Sequence, residues 1–276
     1  MRKYLLSALL LVCSIAVCSD LNREGLTEYK LDNGLTVLLW EDHDAPDVTG
    51  YIAVRAGAVD EPAEYTGLAH YLEHMLFKGT QQIGALDWEH EKPIYDSIIA
   101  LYDQYSDATD PKIREQLATQ INECSMRQAK ISSIEDFFVL LDLIGAEGVN
   151  AFTSYDLTAY MNSFPAAEMY RWLTIFSDRL INPVFRTFQA ELENVFEEYN
   201  MYANNPSSQA QKQLMEDIYK GSPYERDVIG LPEHLKNPRL SKLIEFYETW
   251  YVPNNMALII VGDFDTEKTK PMIAQT

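Results

Sequence analysis

Apolar and polar residues alternate along several segments of the chain with the two-residue period of β-strands. Residues 28–40 hold two short alternating runs around Asp32-Asn33-Gly34, a turn sequence that accommodates positive φ, and they predict a β-hairpin. A third strand is predicted at residues 47–55. Strand-like composition returns at residues 148–162, and residues 256–261 form a compact apolar run typical of a buried strand. The pattern thus predicts strands spread along the whole chain.

Other segments carry apolar residues at the three-to-four-residue spacing of amphipathic helices. Residues 68–77 predict a short helix that ends near Lys78-Gly79, where a glycine can close it. Residues 85–135 carry two apolar stripes on either side of Asp110-Pro111, an N-cap residue followed by proline at the first helical position. We therefore expect a helical hairpin there, with its stripes used for packing.

Two further helices are predicted after the hairpin. Residues 166–180 place large apolar side chains on one stripe before Pro183, and residues 188–202 form an acidic helix. Strands that alternate with helices indicate a mixed α/β or α+β layer architecture. With 276 residues, 47% of them apolar and 12% aromatic, the chain can form one large domain or two small ones with a real core.

The formal net charge of −20 narrows the classes of partner. An acidic chain is repelled by the phosphates of nucleic acids and by anionic membrane surfaces, so we expect no nucleic-acid partner. The charge could favour basic peptide substrates, but a solvated acidic surface that aids solubility explains it more simply. The net charge therefore argues against nucleic acids and anionic membrane surfaces as partners, but it does not identify a partner.

The first 18 residues differ from the rest of the chain. Two basic residues precede an apolar run from Tyr4 to Val17, which is short for a membrane span but suits a secretory signal peptide. We expect residues 1–18 to be a signal peptide and residues 19–276 to be an exported domain of the bacterial periplasm or cell envelope. An alternative is that Cys18 bears the lipid of a lipoprotein. Membrane contact is expected only through this leader or such an anchor.

The segment His70-Tyr71-Leu72-Glu73-His74 combines two imidazoles and a carboxylate at helical spacing. Positions i, i+3 and i+4 share one face of a helix, so His70, Glu73 and His74 would converge on a common point. Two neutral imidazoles can bind a divalent metal, and a neighbouring glutamate can act as general base for hydrolysis. The order matches the H-x-x-E-H signature of inverted zincins. Because Cys124 is the only certain cysteine after the leader, any metal site must use histidine and carboxylate ligands.

A third metal ligand is expected from the acidic segment at residues 191–198. Glu191 and Glu198 are seven residues apart and lie on one helical face, so one could bind metal while the other orients a ligand. Glu193 and Glu197 point elsewhere. Spacing alone fits an ordinary acidic helix surface equally well.

Several segments resemble the pitrilysin/insulinase family of metallopeptidases, which includes the mitochondrial processing peptidases. The motif continues as Met75-Leu76-Phe77-Lys78-Gly79-Thr80, as it does in that family. Similar segments occur in the family's order across most of residues 26–265: Gly57-x-x-x-Glu61-Pro62 with Gly67-Leu68-Ala69, then Gly148-Val149-Asn150-Ala151-Phe152-Thr153-Ser154, then Tyr251-x-Pro253-x-Asn255-Met256 before Gly262-Asp263.

The resemblance implies a fold and a set of residue roles. The fold would be an α+β, processing-peptidase-like metallohydrolase domain with a mostly antiparallel sheet packed by helices. The hairpin at residues 85–135 would be an insertion, which costs little because loop closure depends weakly on length. The implied roles are ligands of one Zn²⁺ at His70, His74 and Glu198, general base at Glu73, and supporting carboxylate at Glu191.

The resemblance also implies a peptide substrate and a second homologous half. Asn150 and Ala151 would lie on a strand that pairs with the substrate backbone. Family enzymes build the working site from two homologous halves, and we expect the second half to be absent from this chain. We therefore expect a zinc-dependent endopeptidase domain; the alternative is a non-catalytic or half-site subunit that needs a second homologous domain. S-ribosylhomocysteinases share the motif, but they use cysteine chemistry that Cys124 alone does not supply.

Overall fold

The strands form one twisted layer of mostly antiparallel sheet. The computed structural model describes residues 25–276, so the predicted signal peptide at residues 1–18 and Cys18 lie outside the described residues. Within that range the sheet has the order β1-β2-β6-β3-β5-β4, and only β2 and β6 run parallel. This confirms the predicted α+β, mostly antiparallel architecture. The strands are β1 Leu26–Lys30, β2 Thr36–Glu41, β3 Val48–Val54, β4 Glu147–Thr153, β5 Thr158–Phe164 and β6 Met256–Gly262.

Ten α-helices within residues 25–276 accompany the sheet. The predicted helical hairpin is confirmed by the second and third of them, and Asp110 caps the third by accepting a hydrogen bond from the amide of Lys112 at 2.8 Å. None of the helices in the described range combines the length and apolar composition needed to cross a bilayer. The helices are α1 Leu68–Met75, α2 Trp88–Asp107, α3 Pro111–Gln128, α4 Asp136–Leu143, α5 Met169–Ile181, α6 Phe188–Ala203, α7 Pro206–Ile218, α8 Pro232–Leu235, α9 Leu240–Trp250 and α10 Thr266–Gln275.

The core lies where α5 packs on the middle of the sheet. Trp172 of α5 is fully buried, and its indole nitrogen donates a hydrogen bond of 2.8 Å to the side chain of Asn162 on β5. A Cβ at Gly50 of β3 would stand 2.4 Å from the Trp172 ring, so the strand accepts the indole only because it has glycine there. These contacts fix the sheet against the helical layer.

The strand β4 lies at one edge of the sheet and carries two of the candidate site residues. It ends the sheet, so one side of its backbone faces no other strand of the described chain. Asn150 and Ala151 lie on it, opposite Met161 and Tyr160 of β5. A register shift between Glu147 and Asn150 marks a bulge at its start.

A buried ion pair fastens the helical hairpin to the loop that follows α1. Arg186 and Glu91 are 1% and 0% exposed, and they form two hydrogen bonds of 2.6 and 2.9 Å. Gln128 of α3 donates to the same carboxylate at 2.9 Å. The guanidinium also donates to the backbone carbonyls of Lys78 at 3.2 Å and Thr80 at 2.7 Å. The inserted hairpin is therefore bound to the turn beside α1 by charge as well as by packing.

Replacing Arg186 with Met should destabilise the protein by about 3–5 kcal/mol, because it leaves the buried carboxylate of Glu91 without its counter-charge. Urea unfolding measures the loss. Arg171→Met is the matched control, since Arg171 is 70% exposed in its pair with Glu168 and should change stability by about 0.5 kcal/mol or less. Equal effects of the two substitutions would contradict the assignment.

Candidate metal centre

The helix α1 presents the two histidines, and buried side chains hold both of its ends. At its start, the side chain of Glu61 accepts hydrogen bonds of 2.8 Å each from the amides of Gly67 and Ala69. Just past its end, Nε of the buried Arg179 donates to the carbonyl of Leu76 at 2.9 Å. Burial lowers the pKa of Arg179 to about 10, which leaves its guanidinium charged at neutral pH. Carboxyl and guanidinium groups thus occupy the two ends that a helix leaves unsatisfied.

Three side chains from α1 and α6 converge on one point. Nε2 of His70 and Nε2 of His74 are 3.3 Å apart, and Oε2 of Glu198 lies 3.6 and 3.7 Å from them. The Tyr71 hydroxyl donates to the carbonyl of Phe188 and so ties α1 to the first turn of α6. Among the described residues, this is the only set of three or more histidine, cysteine or carboxylate side chains whose donor atoms cluster so closely.

These three residues fit a zinc ion. Ligands about 2.0–2.2 Å from a tetrahedral zinc stand roughly 3.3–3.6 Å apart, close to the separations between His70, His74 and Glu198. Two imidazoles and one carboxylate are also a donor set of hydrolytic zinc sites. Burial, together with the nearby His74, lowers the pKa of His70 to about 4, so its ring is neutral at pH 7, as a metal ligand must be.

Glu191 contacts His74 on the side of the ring away from the cluster. Its Oε1 lies 2.7 Å from Nδ1 of His74, and its Oε2 lies 2.5 Å from Nζ of Lys78. Burial acts to raise the pKa of Glu191, but His74 and Lys78 outweigh it and hold this pKa at about 2. Burial likewise acts to lower the pKa of His74, and the Glu191 carboxylate reverses that effect, so the pKa of His74 is raised overall.

Glu73 is buried beside the ligands, between α1 and the end of β4. Its carboxylate accepts a hydrogen bond of 2.5 Å from the hydroxyl of Thr153. Burial raises the pKa of Glu73, while the Thr153 hydroxyl and the charges of His74 and Arg179 oppose the rise. The carboxylate is therefore shielded from bulk water and oriented by a single donor from the strand.

An open groove runs past these side chains along β4. One wall carries Asn150 and Ala151, and aromatic rings form an apolar patch beside them. The rings of Phe77 and Phe138 stack with centroids 5.7 Å apart, and Phe152 on β4 is 43% exposed. The groove joins the candidate metal-binding cluster, the edge of β4 and an apolar surface.

The sequence indicates the candidate ligands and the supporting carboxylate Glu191, but not Lys78, Thr153 or Arg179. Lys78 follows His74 by four residues, so helical spacing could have indicated it. Nothing in the sequence pairs Thr153 with Glu73 or Arg179 with α1, because those contacts span 80 and 103 residues. As expected, Glu193 and Glu197 are exposed, and neither belongs to the cluster of His70, His74 and Glu198.

Comparison with known proteins identifies the family. The model of the insulinase family (peptidase family M16) matches residues 36–91 and 125–231, which is more than half of the chain. The unmatched residues between these ranges lie in the helical hairpin. A second model, the M16 inactive domain, matches residues 239–276.

Individual relatives share the sequence at low identity and extend well beyond this chain. The probable zinc protease PqqL of Escherichia coli is 26% identical over 258 residues, which is 91% of this chain and 23% of that protein. The uncharacterized zinc protease YmfH of Bacillus subtilis is 37% identical over 120 residues, 43% of this chain and 28% of that protein. The matched segments thus span about a quarter of the length of these relatives.

Solved structures share the fold. A protease from Helicobacter pylori matches with a TM-score of 0.69 and 20% identity, over 91% of this chain and 49% of that one. The first half of the periplasmic protease PqqL from Escherichia coli matches with a TM-score of 0.67 and 23% identity, over 91% of this chain and 45% of that one. This chain therefore has the architecture of half of either structure.

The contribution of Glu191 to the stability of the metal-free protein should depend on pH. The lowered pKa of Glu191 gives stability that is present above its ordinary value of 4.5 and is lost as pH falls towards 2. The raised pKa of His74 gives stability that is present below its ordinary value of 6.5 and is lost at higher pH. The free energy of unfolding of wild type should therefore exceed that of Glu191→Gln by the largest amount between pH 4.5 and 6.5. The difference should be smallest in acid.

Urea unfolding in chelator at about pH 3, 5.5 and 8 measures the difference between the two proteins. The difference should shrink strongly at the lowest pH and only partly at the highest, where the Lys78 ammonium still pairs with Glu191. A difference that stays constant from acid to base would exclude an ionic role for Glu191.

Proposed function

This chain belongs to the insulinase family of peptidases (peptidase family M16), and we propose that it is the zinc-binding half of an endopeptidase. The proposal rests mainly on the convergence of His70, His74 and Glu198 beside the buried Glu73. The relatives named as zinc proteases support the metal and the reaction class. The substrates proposed are peptides or unfolded segments.

In the proposed reaction, His70, His74 and Glu198 hold one Zn²⁺ and Glu73 transfers the proton. Zinc, when bound, supplies Lewis-acid polarisation of the scissile carbonyl and of the attacking water. The Glu73 carboxylate takes a proton from that water as it adds to the carbonyl carbon, and later delivers the proton to the leaving nitrogen. Its raised pKa suits the first step, because a stronger base accepts a proton more readily. The Thr153 hydroxyl keeps the carboxylate oriented throughout.

The substrate is proposed to bind as an extra strand on β4. An extended peptide can form main-chain hydrogen bonds with a free sheet edge, and a folded segment cannot. Asn150 and Ala151 are the residues proposed to face the substrate backbone, and Phe77, Phe138 and Phe152 offer apolar surface to its side chains.

A second homologous domain is proposed to complete the site. The groove is open, and the side chain of Glu198 is 33% exposed, which leaves one side of the cluster to be covered. The relatives that this chain matches are about two to four times its length. The alternative is a half-site subunit that binds metal but hydrolyses nothing without its partner.

The location proposed is the bacterial periplasm or cell envelope. The basic start and apolar run of residues 1–18 suit a signal peptide, and the relative PqqL is described as a periplasmic protease. Lipidation at Cys18 is the alternative form of the same proposal.

Glu73→Gln should bind zinc normally and lose about 10²–10⁴-fold in turnover, because an amide cannot accept the proton. Zinc content by atomic absorption and cleavage of an unstructured peptide measure the two effects. The control is Glu193→Gln, on the exposed side of α6. Full activity in Glu73→Gln would refute its role as general base.

The same assay, run with and without a homologous second domain, separates the two functions. Cleavage that appears or rises when that domain is added supports the proposed endopeptidase. Stoichiometric zinc with no cleavage under either condition favours the non-catalytic alternative.

Glu198→Ala should weaken zinc binding by about 100-fold or more, which exceeds the usual effect of residues that only support a ligand. Competition with a chromogenic chelator measures the affinity. Glu197→Ala removes a neighbouring exposed carboxylate and should leave affinity unchanged. Wild-type affinity in Glu198→Ala would move the third ligand elsewhere.

A further inference from the structure

Lys78 is a cation held against Glu191, the carboxylate that contacts His74. Its side chain is 17% exposed, that of Glu191 is 10% exposed, and the two charged groups are 2.5 Å apart. In the described part of the chain, no other lysine or arginine lies within ion-pair distance of Glu73, Glu191 or Glu198. This pair is therefore more shielded than the exposed ion pairs that contribute little to stability.

The contact made by Lys78 determines the orientation of Glu191. One carboxylate oxygen of Glu191 meets Lys78 and the other meets Nδ1 of His74. Asn194 also reaches the lysine-side oxygen, at 3.2 Å. With one oxygen fixed from that side, the other can only face the imidazole. His74 is thus oriented through its second nitrogen, as metal-binding histidines usually are.

The other histidine lacks such a partner. Nδ1 of His70 is buried and has no hydrogen-bond partner among the described residues. Of the two imidazoles, the protein therefore orients only His74 through a side chain. Any group that fixes Glu191 affects the geometry of the whole cluster through this one ring.

Lys78 is itself fixed by the helical hairpin. Arg186, paired with Glu91 of α2, donates to the carbonyl of Lys78 at 3.2 Å. The next residue, Gly79, has φ +90°, and a Cβ there would stand 2.5 Å from the carbonyl oxygen of Ile83. The backbone at Lys78 is thus held in a tight turn that directs its side chain from the end of α1 to α6.

We propose that Lys78 is a positioning residue of the metal centre, acting through Glu191 on His74, and that the inserted hairpin holds it there through Arg186. The proposal rests on the function proposed above, since it requires His74 to be a metal ligand. It gives the hairpin a part in the chemistry: Glu91 fixes Arg186, Arg186 fixes the turn, and the turn places Lys78 against Glu191.

The test measures metal affinity in the absence of any substrate. Lys78→Met should lower zinc affinity by about 10–100-fold in competition with a chromogenic chelator. Lys78→Arg keeps a cation and should bind zinc closer to wild type than to Lys78→Met. The control is Lys92→Met, which removes an exposed lysine from its pair with Asp96 and should change nothing. Far-ultraviolet circular dichroism establishes that each variant is folded.

A second readout reports geometry as well as affinity. Co²⁺ in place of zinc should give a visible absorption spectrum that changes in Lys78→Met and is restored in Lys78→Arg, a pattern that general destabilisation would not produce. Glu91→Gln should also lower zinc affinity, but by a smaller factor than Lys78→Met does. The reason is that this substitution loosens the turn through Arg186 while Lys78 itself remains.

The outcomes separate this proposal from the function it rests on. Zinc binding by wild type, with unchanged affinity and an unchanged cobalt spectrum in Lys78→Met, overturns the positioning role and leaves the peptidase proposal intact. Absence of zinc binding by wild type overturns both. Equal losses in Lys78→Met and Lys78→Arg would also overturn the role, since the charge would then be irrelevant.

Discussion

The helix α1 has eight residues, too few to be stable alone, and the candidate site depends on its being held. Isolated helices shorter than about 12–15 residues are marginal in water, so its register must come from tertiary contacts. Glu61 binds the amides at its start, Arg179 binds a carbonyl past its end, and Tyr71 joins it to α6. The Arg179 guanidinium also lies 4.1 Å from the centroid of the Phe77 ring, which packs the charge against an aromatic face. The two histidines are therefore placed both by the nearby Glu61 and by segments more than 100 residues away in sequence.

Burial and the neighbouring carboxylates shift the pKa values of the two imidazoles in opposite directions. His70 and His74 are one helical turn apart, yet burial lowers the pKa of His70 to about 4 whereas the pKa of His74 is raised. The difference comes from Glu191, which is 117 residues from His74 in sequence. A metal bound at Nε2 would displace only the proton on that nitrogen and leave each ring neutral, so this asymmetry belongs to the metal-free protein and makes its stability depend on pH.

Local patterns predicted the parts of the fold that depend on neighbouring residues. The β1–β2 hairpin around Asp32-Asn33-Gly34, the cap at Asp110 and the shared face of the histidine motif all follow from spacings of a few residues. The insertion of β6 between β2 and β3 could not be predicted, because it pairs strands about 200 residues apart and leaves no local signal. The helix α7, which was not predicted, buries none of its residues, and its Leu214 and Ile218 are exposed.

Sequence spacing alone also could not distinguish Glu198 from Glu191; the tertiary structure was needed. Both lie on one face of α6, and spacing left either one able to be the ligand. In the structure, Glu198 reaches the Nε2 side of the rings and Glu191 reaches the Nδ1 side of His74.

On the proposed function, the position of β4 in the fold has a further consequence. The strand that would hold the substrate backbone through Asn150 and Ala151 also supplies Thr153 to the general base. The same strand would then bind the substrate backbone and orient the Glu73 carboxylate through Thr153. A peptide paired with β4 would therefore restrict the motion of the strand that orients the general base.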